Sequence, residues 1–407
     1  MNRVVVTGVG IACPVGIGVG ELCRALLEKR TGTVFVPEMK TAGFQCCVYG
    51  ALPPLDTGGL PKRCLQTMAD VAKLAAVAAS EAILDAGLAP EHLETERAAV
   101  VVGTGAGGIS DTTRTERLIR AGGRLSTAGG VGTVRIMSCT ASANLAALWG
   151  ARGRVQSVSS ACCTGPDSIG FAAELLRRGV ADVCLAGAAE QDLWPHIGAW
   201  FENTGEMPKQ WNDRPGEACR PYDRDRQGFV LGSGTGILVL ETYDHARRRG
   251  ARVRAELLGY GSANDGEDLW RPNGRGLRSA VIQAMAQASA VGVSEIDYVN
   301  THGTGTQVGD RVEVDVFSSL FGMAPWVGST KGFMGHAMSA TGAMEAVITV
   351  LALSESFVPP TANLDNVAPE CRGVRHVFEP QRQPLRAAMT TNSGLGGTNA
   401  CLVFGQA

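Results

Sequence analysis

A cysteine pair near the middle of the chain has the surroundings of a nucleophile. Cys162 and Cys163 lie in the segment 158–165, where an apolar strand pattern ends, a tight turn follows and an amphipathic helix pattern begins. A thiol in such a turn lies at the positive end of the helix, beside backbone N–H groups that have no helical partner. Both effects favour the reactive thiolate. Taken alone the pattern fits a buried structural cysteine better, and Cys162 becomes a candidate nucleophile only through three segments further along.

These segments place histidines and a glycine-rich loop after other apolar runs. His302 stands in Asn-Thr-His-Gly-Thr-Gly-Thr, and Lys331 and His336 share the segment Ser-Thr-Lys-Gly-Phe-Met-Gly-His. The loop 392–399, Asn-Ser-Gly-Leu-Gly-Gly-Thr-Asn, has glycines that leave backbone N–H groups free to meet an anion. A cysteine, two histidines and such a loop are the parts of thiol-based acyl transfer: a nucleophile, two proton or charge partners and an oxyanion site.

The elements that must position these residues follow the alternation of an α/β fold. Strands are predicted at Val4–Val6, Ala98–Val102, Val155–Val158, Val183–Ala186, Gly236–Leu240, Arg254–Leu258, Ile296–Asn300, Trp326–Gly328, Ala388–Thr391 and Cys401–Phe404. Helices are predicted at Leu65–Ala86, Asp167–Arg178, Gly274–Ala288 and Gly342–Ser354. The basic run 247–249 before Gly250 reads as a solvated helix end at a seam between two halves of similar element order.

Jointly, the four segments resemble the signature blocks of the β-ketoacyl-acyl-carrier-protein synthases, the elongating condensing enzymes of the thiolase superfamily. Residues 220–232 resemble a further block of this family, and all blocks occur in the family's order and spacing. The resemblance implies the thiolase fold, an α/β architecture of two similar halves in a five-layer αβαβα sandwich. Residues 1–245 are expected to carry the nucleophile, and residues 246–407 the histidines and the glycine-rich loop. The resemblance also implies decarboxylative Claisen condensation of an acyl thioester with malonyl-acyl-carrier protein. The active protein is expected to be a dimer.

The same resemblance implies roles for individual residues. Cys162 corresponds to the nucleophile that takes the acyl chain from a carrier-protein pantetheine. His302 and His336 correspond to two neutral histidines that promote decarboxylation of the malonyl extender by hydrogen bonding its thioester carbonyl. Lys331 corresponds to the family lysine, and Glu313 is expected to be its partner.

Further positions belong to the oxyanion hole and the substrate channel. The backbone N–H groups of Cys162 and Leu395 correspond to the oxyanion hole. Thr304 and Thr306 correspond to residues that contact the pantetheine arm, and Phe229 to an aromatic side chain beside the decarboxylation site. For two acidic residues nearby a structural role is at least as good an interpretation as a catalytic one: Asp310 and Glu345.

Two surface regions are expected to determine chain length and partner. Ala106 corresponds to a position at the dimer contact that limits the acyl pocket, and its small side chain predicts room for a medium or long chain. Lys62 and Arg63 fall where the family has basic residues that dock acidic carrier proteins, although Gln66 replaces one of these and an ordinary solvated helix start explains them equally well. Weaker docking candidates are Arg117, Arg120 and Arg124.

The amino-acid composition excludes several other functions. The chain has 407 residues and a formal net charge of −2, so the broad basic field of a nucleic-acid-binding protein is absent. Its 12 cysteines form no CxxC pair and no Cys/His metal-ligand spacing, which indicates reduced core thiols and no metal or redox cofactor. Substrates are expected on the phosphopantetheine of a carrier protein instead. Neither a signal segment nor a membrane span is recognisable, and the cytoplasm is the expected location.

The sequence allows several interpretations of the biosynthetic pathway. The loop 392–399 is one residue shorter than the Asn-Ser-Phe-Gly-Phe-Gly-Gly-Thr-Asn of fatty-acid enzymes and has Leu395 at the gating aromatic, which resembles type II polyketide ketosynthases. Residues 211–218 and 259–266 look closer to bacterial fatty-acid synthase I. We favour a polyketide or polyene role over housekeeping fatty-acid elongation. A ketosynthase subunit paired with a non-catalytic chain-length factor is a further alternative.

Related classes that share the fold fit less well. Thiolases and starter-unit synthases carry Asn or a second Cys at the position of His336. A chain-length factor lacks the nucleophilic cysteine, and a bare malonyl decarboxylase requires its loss. Cys162 in its full motif argues against both.

Overall fold

The computed structural model describes residues 1–127 and 129–407, which form a mixed α/β protein. The strands are β1 (Val4–Cys13), β2 (Gly16–Ile17), β3 (Thr33–Phe35), β4 (Val48–Gly50), β5 (Ala98–Gly103), β6 (Val155–Gln156), β7 (Val183–Glu190), β8 (Gly234–Thr242), β9 (Ala255–Asn264), β10 (Tyr298–Asn300), β11 (Trp326–Gly328), β12 (Phe357–Val358), β13 (Arg375–His376), β14 (Gln381–Arg382), β15 (Ala387–Gly394) and β16 (Thr398–Gly405). The helices are α1 (Val19–Glu28), α2 (Pro37–Thr41), α3 (Lys62–Leu65), α4 (Asp70–Ala86), α5 (Pro90–Leu93), α6 (Ile109–Arg120), α7 (Gly132–Arg135), α8 (Thr140–Trp149), α9 (Thr164–Arg177), α10 (Trp194–Asn203), α11 (Tyr243–Arg248), α12 (Arg275–Ala290), α13 (Gln307–Phe321), α14 (Lys331–Met334) and α15 (Thr341–Ser354).

The main sheet is built from two copies of one strand arrangement. Its central path runs β11-β10-β15-β16-β9 and then β1-β8-β7-β5-β6. Within each half the first strand pairs antiparallel with the last, the last pairs antiparallel with the one before it, and the remaining two pairings are parallel. The halves join where β1 pairs with β9. The predicted duplication is therefore confirmed, whereas the predicted division between residues 245 and 246, which falls inside α11, stays a prediction.

Helices cover both halves and also fill the space between them. α4 and α8 share one apolar core with the outer face of the first half, and α12 and α13 share another with the second half. α9 and α15 lie in the third core with residues from both halves. α15 is buried from Thr341 to Leu353, as expected of a helix that is apolar on all sides. The result is the predicted five-layer αβαβα sandwich of the thiolase fold.

The predicted helix Leu65–Ala86 is too long at its beginning. α3 ends at Leu65 and α4 starts only at Asp70. The carbonyls of Gln66 and Thr67 accept hydrogen bonds from the side chains of Arg135 and Asn144 instead of from helical N–H groups. Side chains brought in by tertiary contacts thus satisfy the backbone where the helix is interrupted.

The contact between α4 and β1 requires glycine at two positions of the strand. A Cβ atom on Gly10 would lie 1.9 Å from the carbonyl oxygen of Ala78, and one on Gly8 would lie 2.1 Å from that of Ala82. Alanine on the helix and glycine on the strand therefore allow the two backbones to approach closely.

In the basic run at the seam, Arg247 and Arg248 are exposed as predicted, whereas the side chain of Arg249 is largely buried. Arg249 donates two hydrogen bonds to the fully buried carboxylate of Glu241, which also accepts from Thr7 and contacts His245. Burial raises the pKa of Glu241, but these hydrogen bonds outweigh it and lower the pKa to about 2. Within the described part of the chain, every helix is too short or too polar to cross a membrane.

Candidate active site

Cys162 lies in a sharp turn that leads into α9. Ala161 has a left-handed backbone conformation (φ 52°), which is uncommon for a residue with a side chain. Side chains on both sides fix this turn: the hydroxyl of Thr164 accepts from the Ser160 N–H at 2.9 Å, and Thr398 donates to the Ser160 carbonyl at 3.2 Å. The thiol is buried, with 4% of the residue exposed, at the bottom of a cavity.

Two histidines from the other half of the molecule meet this thiol. The Nε2 atom of His336 lies 3.2 Å from the sulfur of Cys162, and the rings of His336 and His302 have their centroids 5.1 Å apart. One nitrogen of each ring and the sulfur all lie within 4.8 Å of one another. By residue type this set could also ligate a metal ion, and the metal-free site stays a prediction.

All three groups are in their neutral forms at pH 7. Burial raises the pKa of the Cys162 thiol to about 11, although the charge of Lys331 and the N–H groups of Leu395 and Cys162 act against it. The predicted thiolate at the helix end is therefore wrong, because desolvation of the sulfur outweighs the favourable field. Burial, followed by the charge of Lys331, lowers the pKa of both His302 and His336 well below the ordinary value. Proton transfer must therefore accompany any attack by the sulfur.

Lys331 belongs to a buried chain of polar groups that ends on His302. Its ammonium group donates to Glu345 at 2.5 Å, and the Nδ2 atom of Asn392 lies 2.8 Å from the other oxygen of Glu345. The same Nδ2 lies 3.3 Å from Nδ1 of His302. The amide NH2 thus faces two acceptors, while its Oδ1 packs against Gly342, where a Cβ atom would lie only 2.3 Å away.

This arrangement determines the tautomer of His302. With the Asn392 NH2 group directed at Nδ1, the ring nitrogen must accept, so that the proton lies on Nε2. His336 differs, because its Nδ1 faces the hydroxyl of Thr341 at 2.9 Å, which can either donate or accept. His302 is held in one form, whereas His336 can exchange forms.

The predicted pairing of Lys331 with Glu313 is wrong. Glu313 accepts hydrogen bonds from the N–H groups of His302 (2.7 Å) and Gly303 (2.8 Å) and from the hydroxyl of Tyr222 (2.8 Å). It therefore shapes the backbone turn that carries His302. Glu345, which lies in the buried helix α15, takes its place beside the lysine.

Asp310, which lies in α13 like Glu313, has a similar structural task. Its carboxylate accepts from the N–H groups of Tyr222 and Gly305, and Arg226 approaches to 3.7 Å. Burial raises the pKa of Asp310 to about 7.

The cavity above the sulfur has a volume of about 830 Å³ and opens to solvent. Phe229, Thr304, Thr306 and Leu395 line it as predicted, and Phe229 packs edge-on against His336 with ring centroids 6.0 Å apart. The N–H groups of Cys162 and Leu395 both lower the pKa of the Cys162 thiol, so both donors lie near the reacting atom.

The remaining predicted residues lie away from this cavity. Ala106 follows β5 in a loop whose N–H groups bond to Glu190, and it does not line the cavity of the single chain. Lys62 and Arg63 are exposed on α3, with no contact to the site.

Asn392 and Thr341 were not recognised as partners of the histidines. Asn392 lies in the quoted loop, but nothing in its spacing shows which ring it faces. A signal did exist for Glu345: a lone carboxylate inside a helix that is otherwise apolar requires a buried partner.

The fold and this Cys–His–His site define a thiol-dependent acyltransferase. Family models for the Beta-ketoacyl synthase N-terminal domain and the Beta-ketoacyl synthase C-terminal domain match residues 1–246 and 254–365. The chain belongs to the β-ketoacyl synthase family, whose members need no free cofactor.

The named relatives include both 3-oxoacyl-[acyl-carrier-protein] synthases and a polyketide ketosynthase. The chain is 34% identical to 3-oxoacyl-[acyl-carrier-protein] synthase 1 of Haemophilus influenzae, with 99% of each chain covered. It is 35% identical to a putative polyketide beta-ketoacyl synthase 1 of Streptomyces halstedii, with 99% of this chain and 98% of the relative covered.

Solved structures agree closely with the fold. A beta-ketoacyl synthase from Burkholderia phymatum superposes with a TM-score of 0.93 at 30% identity, with 100% of both chains covered. The ishigamide ketosynthase/chain length factor gives a TM-score of 0.91 at 31% identity, with 100% of this chain and 99% of the other covered.

Proposed function

We propose that this protein is a β-ketoacyl-acyl-carrier-protein synthase that condenses an acyl group held on Cys162 with malonyl-acyl-carrier protein. The observation that carries the proposal is the 3.2 Å contact between the Cys162 sulfur and Nε2 of His336, with His302 in the same cavity. The acyl carrier protein is the proposed partner, in keeping with the name of the Haemophilus relative. Lys62 and Arg63 are retained as its proposed docking residues.

The first step transfers the acyl group to the sulfur. Because the thiol is protonated and His336 is neutral, Nε2 of His336 accepts the proton as the sulfur attacks the thioester carbonyl. The N–H groups of Cys162 and Leu395 stabilise the tetrahedral oxyanion. The leaving pantetheine thiolate takes the proton back, and His336 is again neutral.

The second step forms the carbon–carbon bond. The malonyl thioester loses carbon dioxide, and the electron pair moves into an enolate whose oxygen accepts hydrogen bonds from Nε2 of His302 and of His336. His302 is already in the Nε2–H form, and His336 reaches it when Thr341 donates to Nδ1. The enolate carbon attacks the acyl carbonyl on Cys162, and collapse of the intermediate releases the 3-oxoacyl thioester and the cysteine thiolate, which takes up a proton.

Separate assays of the two steps test these roles. Cys162→Ala should abolish the acyl-enzyme mass when the protein is incubated with acyl-carrier protein. His302→Ala should retain acylation and lose release of carbon dioxide from malonyl-carrier protein, and His336→Ala should do the same with slower acylation. Acylation of the Cys162→Ala variant at the wild-type extent would refute the assignment.

For the pathway, we propose a type II polyketide or polyene role, supported by the shortened loop with Leu395 in place of an aromatic residue. The alternatives are housekeeping fatty-acid elongation, which the relatives favour equally, and a catalytic subunit paired with a chain-length factor. Three primers of equal length, saturated, 2-enoyl and 3-oxo, should be compared on Cys162 by intact mass. Preference for the saturated primer would favour fatty-acid elongation, and native mass of the purified protein separates a homodimer from a subunit awaiting a partner.

A further inference from the structure

Two arginines line the cavity near its opening. Arg271 lies in the segment between β9 and α12, and Arg311 lies in the second turn of α13. Both side chains are exposed. They come from separate elements and share one opening, the one that leads to Cys162.

Neither guanidinium group is neutralised by the protein. Within residues 1–127 and 129–407, no carboxylate oxygen lies within 4.0 Å of either group. The nearest candidate for Arg271 is Asp268, whose carboxylate already accepts from the N–H groups of Trp270 and Arg271 itself. Near Arg311, Glu370 is bonded to Arg226 at 2.8 Å.

The acidic groups of the cavity do not remove this positive charge. Asp265, Asp310 and Glu313 are buried and act as structural acceptors, because they accept backbone N–H groups from neighbouring segments. Two exposed carboxylates remain on the wall, those of Glu206 and Asp268, and neither forms an ion pair among the described residues. The exposed wall therefore carries two arginines and two carboxylates, and because none of these is in an ion pair, both guanidinium groups are free to bind an anion.

We propose that Arg271 and Arg311 bind the phosphate of the phosphopantetheine arm while its thioester lies at Cys162. This inference rests on the proposed function, because it names the part of the substrate that remains outside the reacting centre. An arm that enters thioester first leaves its phosphate at the opening. The planar guanidinium group matches the oxygens of a phosphate and stays charged at all relevant pH values.

The kinetic consequence follows from where the contact is made. The phosphate is bound equally in the ground state and in the transition state, so its loss raises KM and leaves kcat unchanged. Because both side chains are exposed, we expect a moderate effect of about fivefold to tenfold for the pair.

The test compares acyl-phosphopantetheine with acyl-pantetheine as small donors that lack any carrier protein. Acylation of Cys162 is followed by mass in the wild type, in Arg271→Gln, in Arg311→Gln and in the double variant. Arg275→Gln is the matched control, since this exposed arginine lies four residues away, approaches Glu267 at 4.0 Å and does not line the cavity. Thermal unfolding of each variant verifies that the fold is retained.

The wild type and Arg275→Gln should prefer the phosphorylated donor, and the double variant should lose that preference through KM. Equal use of both donors by the wild type, or an unchanged preference in the double variant, overturns the inference. A defect that appears only with intact carrier protein also overturns it and assigns the arginines to the carrier surface. Wild-type condensation of acyl- and malonyl-carrier protein is measured in parallel, because its absence would refute the proposed function itself.

Discussion

Asn392→Asp should separate the two halves of the reaction. The change places a carboxyl group where the amide nitrogen now lies 2.8 Å from Glu345 and 3.3 Å from Nδ1 of His302. Two carboxylates at that distance cannot both be ionised, so they share a proton, and the new group offers an acceptor to Nδ1. The proton of His302 then moves from Nε2 to Nδ1.

The size of the effect follows from the donor that is lost. In the Nδ1–H form, His302 presents a lone pair to the enolate oxygen instead of an N–H group. Loss of one such preorganised donor lowers kcat by about 10²–10³, or roughly 3–4 kcal/mol. Acylation of Cys162 should change little, because His336 and the backbone N–H groups of Cys162 and Leu395 are untouched.

Two measurements and one control decide the outcome. Carbon dioxide release and acyl-enzyme mass are followed separately, and ¹⁵N spectra of labelled histidine report which nitrogen of His302 carries the proton. Thr341→Val is the control for the spectra, since it removes the partner of His336 and leaves the Nε2–H form of His302. Decarboxylation by Asn392→Asp within threefold of the wild type, or an equal fall in acylation, would refute the tautomer argument.

Three further predictions concern the thiol, the acyl pocket and the seam. Because burial raises the pKa of Cys162 to about 11, its alkylation by iodoacetamide, corrected with Cys162→Ala, should rise about tenfold per pH unit from pH 7 to 10; a plateau below pH 8 would contradict this. Ala106→Phe should shorten the acyl chains found on Cys162, and unchanged chain lengths would exclude Ala106 from the pocket. Glu241→Gln should lower the free energy of unfolding by about 3 kcal/mol at pH 7. The pKa of Glu241 is depressed from 4.5 to about 2, so this contribution is complete above pH 4.5 and declines as the pH falls towards 2; urea unfolding that shows a pH-independent difference would contradict the charge argument.

Local patterns were sufficient for the ten strands of the central path and for several of the long helices. All ten predicted strands are present, although β1 and β9 extend further than the apolar runs indicated, because glycines and polar residues continue them once neighbouring strands supply hydrogen bonds. The helices α9, α12 and α15 begin and end within a few residues of their predicted limits. α13 was missed because charged and small residues alternate along it, and only its packing against the second half fixes it as a helix.

The active site shows which features local sequence patterns cannot predict. The motifs pointed to Cys162 and both histidines, since each stands in a turn or loop that follows a predicted strand. They could not reveal the partner of Lys331, because that choice depends on where a distant helix passes. They also suggested a thiolate, since the helix-end argument is local whereas desolvation depends on everything that packs over the sulfur.

The central position of α15 has a consequence for biosynthesis. This helix is among the last elements to be made, yet its apolar side chains cover the inner face of a sheet whose strands β1, β5 and β7 are made first. Until residue 354 has emerged from the ribosome, the nascent first half therefore exposes an apolar surface and the thiol of Cys162 to solvent. Nascent chains of this protein should recruit holding chaperones during that interval. Catalytic activity should appear in a single late step.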